Sequence, residues 1–141
     1  MTEATGCLFC RIASGEIAAH VVDEGPDTVT FLDHRPVFPG HCLVVTKKHY
    51  DTMLDVPAEE LGPYFANVQR VARAVEKALR ADGSFVATNN RVSQSVPHVH
   101  VHVVPRRFKD GLRGFFWPRQ KYESEEAALA TRDAIRKALD E

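Results

Sequence analysis

The sequence lacks most of what would place a protein outside the cell or in a membrane. Its 141 residues include only three cysteines, Cys7, Cys10 and Cys42. So small and odd a number, with no basic-then-apolar leader, argues against a disulfide framework. No apolar run approaches the roughly 20 residues needed to span a bilayer. The expectation is a cytoplasmic protein with no membrane partner. Charge of one sign is also missing: 18 Lys and Arg against 19 Asp and Glu leave a formal net charge of −1. That gives no general attraction to nucleic acid, and no specific nucleic-acid partner is expected. There is no internal repeat, linker or low-complexity segment. What remains is a chain of one-domain length, 44% hydrophobic, enough for a core without staples. One domain over 1–141 is expected, with its core at about 7–107 and a basic, aromatic segment and helix at 108–141.

Punctuation by Gly and Pro divides the chain. Cys7–Ala13 reads as a short helix ended by Ser14-Gly15. His20–Asp23 and Val29–Asp33 read as a hairpin turning at Gly25-Pro26-Asp27. Pro36, Pro39 and Gly40 break the chain before a buried strand, His41–Thr46. The clearest helix spans Pro57–Arg80, with Asp55 or its neighbour as cap and Pro57 in the first turn. Leu61, Tyr64, Phe65, Val68, Val71, Ala72, Val75, Ala78 and Leu79 form its apolar stripe. Asp82-Gly83 ends it. Ser84–Thr88 and Pro97–Val104 are further strands, and Glu125–Leu139 a terminal helix. The order predicts an α+β fold: an antiparallel sheet of about five strands, one long helix and a C-terminal helix.

The chemistry concentrates in His98-Val99-His100-Val101-His102-Val103-Val104. On a strand, alternate side chains share a face, so three imidazoles point one way and Val99, Val101 and Val103 point into a core. Same-face neighbours lie about 6.5–7 Å apart, close enough to surround one small anion. Imidazole can be nucleophile, proton carrier or hydrogen-bond donor, which suits a phosphate under transfer. A three-histidine metal site competes, although no carboxylate accompanies the run. Upstream, Asn89 to Ser95 supplies amides and hydroxyls that can hold phosphate oxygens.

Gln94-Ser95-Val96-Pro97 followed by the histidine run and Pro105-Arg106 resembles the signature of the HIT (histidine triad) family. Cys7-Leu8-Phe9-Cys10, Phe31 to Val45 and Lys48-His49 resemble its other elements, in the same order. The resemblance implies that His100 attacks the α-phosphorus of a nucleotide, giving a nucleotidyl-histidine intermediate that water resolves. It implies that His98 belongs to the catalytic group, that His102 binds the transferred phosphate, that Gln94, Ser95 and Asn89 contact the substrate, and that His41 sits beside the nucleophile. Asp33 resembles the residue that holds ribose hydroxyls; as an ordinary turn residue it would read the same. Histidine rather than glutamine at 102 favours water as the final acceptor. The resemblance also implies a homodimer and no organic cofactor.

Cys7 and Cys10 have a standard zinc-ligand spacing. The resemblance supplies His49 and His98 as the other two ligands of a structural zinc; otherwise the thiols are merely buried. After the triad, Arg106, Arg107, Lys109, Arg113, Arg119 and Lys121 gather around Phe115-Phe116-Trp117-Pro118. That segment is either a solvated loop or a place for a polyphosphate tail, with aromatics at the active site or a subunit contact. The favoured substrate is a dinucleoside polyphosphate. Nucleoside phosphoramidates or acyl-nucleotides are the alternative, followed by a non-catalytic nucleotide sensor and by a three-histidine metalloenzyme.

Overall fold

A computed structural model of the chain describes residues 6–113 and 118–141. It divides into two compact units, Met1–Asp110 and Gly111–Glu141. The first contains α1 (Leu8–Ala13), β1 (Val21–Glu24), β2 (Thr28–Leu32), β3 (Cys42–Thr46), a one-turn 3-10 helix (Met53–Asp55), α2 (Ala58–Leu79), β4 (Gly83–Ala87) and β5 (His100–Arg106). The second contains α3 (Glu125–Leu139), capped by the Ser124 hydroxyl, which accepts from Ala127 N–H. Phe115, Phe116 and Trp117 lie outside the described residues. No helix among those described is long and apolar enough to cross a membrane.

The five strands pair antiparallel throughout in the order β1-β2-β3-β5-β4. The β5 alternation separates two cores. Val99, Val101 and Val103, with Cys42 and Val44, face the α2 stripe of Tyr64, Val68, Val71 and Val75. Val99, Val101 and Val103 are each 1% exposed or less, so truncating one to alanine should cost about 2 kcal/mol. The Tyr64 hydroxyl donates to the Val44 carbonyl at 2.8 Å and pins the helix to the sheet. On the opposite face Val29, Phe31, Leu43 and Val45 pack with Phe9 of α1. Leu43 pairs with His102 and Val45 with His100, which puts both imidazoles on this second face.

Several expectations need correction. β5 begins at His100, so Pro97–Val99 precede it; Val99 N–H bonds to the Tyr50 carbonyl instead of a strand partner. It also continues through Pro105, because β3 pairs no further than Val103 and the missing proline N–H costs no ladder bond there. Asp55 does not cap α2. It closes a capping box with Thr52 around the 3-10 turn, and Pro57 stands at the α2 N-cap without a side-chain bond. Helix α2 ends three residues before Gly83, at left-handed Arg80, and Gly83 opens β4. On α2, Phe65 and Leu79 are exposed at the margin of the buried stripe.

Candidate active site

His100 is 4% exposed, and its Nδ1 lies 2.8 Å from the His98 carbonyl oxygen. A carbonyl only accepts, so Nδ1 carries the proton and the neutral ring keeps its lone pair on Nε2. Burial lowers the His100 pKa, against the backbone hydrogen bond and Asp33, which raise it. The ring is therefore neutral at neutral pH, as a nucleophile must be.

His102 is held in the opposite tautomer. Val37 N–H donates to His41 Nδ1 at 3.1 Å, so His41 carries its own proton on Nε2. That nitrogen lies 2.9 Å from His102 Nδ1, which must accept. The His102 proton is left on Nε2. Burial pushes the His102 pKa down to about 4, helped by His100 and His41 and opposed by Asp33. The His100 and His102 rings stand 5.0 Å apart between centroids. Two neighbouring imidazoles thus offer unlike nitrogens, an acceptor from His100 and a donor from His102.

The sequence places His41 through Pro39-Gly40. Gly40 has φ of +101°, which turns the chain so that the His41 carbonyl accepts from Asp33 N–H at 2.9 Å. Asp33 Oδ1 accepts from Arg35 N–H at 2.9 Å, and Oδ2 lies 3.7 Å from His41 Nε2. Burial lowers the His41 pKa, with Asp33 opposing and His100 assisting. Asp33, His41 and His102 could in principle hold a metal. The His41–His102 hydrogen bond already occupies the facing nitrogens, so this trio reads as a proton-ordering chain.

A cavity of about 570 Å³ opens over these groups. Asp33, Ser95, His100 and His102, with His20 and His34, form its polar part, and Phe9, Ile12, Ile17, Phe31, Leu43 and Val96 stand in its apolar wall. This mixture suits a nucleoside phosphate, with an apolar base pocket beside convergent polar groups.

Other expected residues take different positions. Gln94 uses both ends of its amide internally: Oε1 accepts from Arg91 N–H at 2.8 Å and Nε2 donates to the Asp51 carbonyl at 2.5 Å. Asn89 donates to the Ser93 carbonyl at 3.2 Å, and Asn90 accepts from Met53 N–H. In the basic segment, Arg106 grips Asp110 through two bonds, and Arg107 donates to the Leu79 carbonyl. His34 is exposed. Cys42 is buried, and burial raises its thiol pKa, which removes it as a nucleophile.

His98 departs most from the strand pattern. It precedes β5 and is fully buried. Its Nε2 donates to the Thr46 carbonyl at 2.7 Å, leaving the Nδ1 lone pair 3.3 Å from Cys7 Sγ and 3.5 Å from Cys10 Sγ. His49 is arranged alike: Nε2–H faces Asp51 Oδ1 at 2.8 Å, and Nδ1 faces Cys10 Sγ at 3.3 Å. The four ligand atoms lie within 4.8 Å of one another. Tetrahedral zinc with two sulfur and two nitrogen ligands needs separations of about 3.3–3.8 Å, so the donor set fits a closed structural site. Both histidines also have the outer hydrogen bond that orients a metal-bound imidazole. Only His100 and His102 of the run therefore reach the cavity, and the three-histidine metal reading loses its first ligand.

Four contributors escape the sequence reading. Val37 N–H and the Thr46 carbonyl are backbone groups, invisible to residue identity. Asp51 had a signal, a carboxylate two residues after His49. Phe9, inside Cys7-x-x-Cys10, was overshadowed by its neighbours.

Comparison with known proteins agrees with this geometry. The HIT domain profile matches residues 14–109. An uncharacterised HIT-like protein of Methanocaldococcus jannaschii is 43% identical over 107 residues, 74% of this chain and 82% of that protein. An adenosine 5'-monophosphoramidase of Saccharomyces cerevisiae is 29% identical over 133 residues, 93% of this chain and 82% of that protein. Among solved structures, a zinc-bound histidine triad family protein from Mycobacterium smegmatis superposes with a TM-score of 0.72 at 36% identity, covering 96% of both chains. Profile, relatives and fold agree, and the chain belongs to the HIT family.

Proposed function

We propose that the protein is a nucleotide hydrolase in which His100 Nε2 attacks the α-phosphorus. One observation carries this reading: His100 and His102 are held in opposite tautomers beside one cavity. Attack forms an N–P bond to His100 and breaks the bond from phosphorus to the leaving group. His102 Nε2–H is placed to donate to a non-bridging phosphoryl oxygen as charge builds. Ser95, which lines the cavity, would give the leaving group its proton. Water then attacks the phosphorus and breaks the N–P bond; its proton goes back to Ser95, and His100 leaves as the neutral imidazole with Nδ1–H still on the His98 carbonyl. Asp33 faces the cavity where it can accept from ribose hydroxyls.

Cys7, Cys10, His49 and His98 would hold zinc as a structural cross-link, with no part in bond-making at phosphorus. No organic cofactor is required by these steps. A reducing, cytoplasmic setting suits the three thiols. A homodimer is the expected assembly, and β4, an edge strand with Val86 exposed, offers a surface for it.

Two leaving-group classes remain in play. The stretch from Arg35 to His41 and the basic segment lean to a dinucleoside polyphosphate, but within that segment Arg106 and Arg107 are committed to Asp110 and the Leu79 carbonyl. The yeast relative's name, monophosphoramidase, supports a small amine leaving group. We therefore place nucleoside phosphoramidates first and dinucleoside polyphosphates second. A panel of both, with adenine and guanine bases, compared by kcat/KM, tests the ranking. Turnover of neither class would favour the sensor alternative.

A further inference from the structure

One short helix links the metal-binding group to the nucleophile. α1 has only six residues, too few to persist in water without tertiary anchors. Cys7 at its N-cap and Cys10 one turn later bring their sulfurs to His98 and His49. Phe9, between them, is 5% exposed and packs into the sheet. Its ring stands perpendicular to that of His100, with centroids 5.0 Å apart, and also meets Phe31 at 5.4 Å. The Nδ1–H bond from His100 to the His98 carbonyl fixes one nitrogen but not the tilt of the ring. Contacts with His102 and Phe9 restrict that tilt.

We propose that Phe9 is a positioning residue for His100, held against it by the Cys7, Cys10, His49 and His98 group through α1. The proposal rests on the reading of His100 as nucleophile. Misplacing a reacting atom by about 1 Å can cost roughly a hundredfold in rate, so ring tilt is a sensitive target.

The test compares zinc-loaded wild type with Phe9→Leu, which keeps an apolar side chain but no ring. Four quantities are measured: zinc per chain, AMP affinity, kcat on the best panel substrate, and the ring nitrogen NMR signals of His100. Phe9→Leu should keep its zinc and bind AMP within about threefold of wild type, while kcat falls by about tenfold or more. The His100 ring nitrogens should keep one protonated site, held by the His98 carbonyl, while their signals broaden as the ring samples more than one tilt. Unchanged kcat overturns the proposal. So does a lower kcat with unchanged His100 signals, because Phe9 would then act on the substrate alone. If Phe9→Leu does not fold, Phe9→Met, an unbranched flexible side chain that fills irregular gaps, serves in its place. Failure of both to fold, or loss of zinc from both, assigns Phe9 to core or metal packing and also overturns it. The Cys7→Ser variant should lose zinc and show the same His100 change; unchanged signals there would remove the metal group from the argument. Absence of turnover by wild type would sink the hydrolase reading, whereas the NMR comparison would still report whether Phe9 fixes the ring.

Discussion

At the scale of single residues, the proposed function rests on which nitrogen of each imidazole carries the proton. Four histidines are ordered by fixed partners: His98 by Thr46, His100 by the His98 carbonyl, His41 by Val37 N–H and His102 by His41. Replacing His100 by alanine removes the reaction path and little binding surface. His100→Ala should lose turnover by more than about a thousandfold while AMP affinity, measured by calorimetry, changes little. Turnover within about tenfold of wild type would contradict the assignment. The same burial sets a pH dependence. His41, His100 and His102 all have pKa values below the ordinary 6.5. The neutral, reactive arrangement thus persists as pH falls through 6.5, and the acid limb of the pH–rate profile should lie below that value. A limb at or above it would mean an unburied, unperturbed ring.

At the scale of elements, the period-two histidine run and the apolar stripe of α2 were legible because burial repeats with strand and helix period. The turn chemistry around them was less so. Asp55 looked like a helix cap, since an acidic residue near a helix start satisfies the same rule whether it caps that helix or the turn before it. His98 looked like a strand residue, because only the Tyr50 carbonyl, distant in sequence, draws Val99 out of the ladder. Its place among candidate zinc ligands follows from family resemblance, not from period. Gly40 is the element-scale feature most open to test. Alanine there would need a left-handed φ of +101°, and its Cβ would meet the flexible end of Leu79 at 2.1 Å. Leu79 can move, so backbone strain of about 1–3 kcal/mol is the main cost. Gly40→Ala should lower Tm by several degrees and, by shifting His41, reduce kcat more than it raises KM. A loss of stability with unchanged kcat would show that the His41 position does not depend on this turn.

At the scale of the whole molecule, the Cys7, Cys10, His49 and His98 group ties residues from both ends of the first unit. Protein prepared without chelators should carry about one zinc per chain, lost in Cys7→Ser/Cys10→Ser, and zinc loss should reduce stability. Metal analysis finding none would leave buried thiols and a fold held by its two apolar cores. Stability should also fall with acid. His102 titrates near 6.5 when unfolded and at about 4 when folded, so its contribution is complete above 6.5 and is lost as pH drops toward 4. Urea midpoints across that interval measure it. The central claim, that His100 becomes covalently nucleotidylated, is tested most directly by stereochemistry at a chiral α-phosphorus. Two successive displacements, first by His100 and then by water, predict net retention; clean inversion would mean that water attacks phosphorus in one step and would contradict the account.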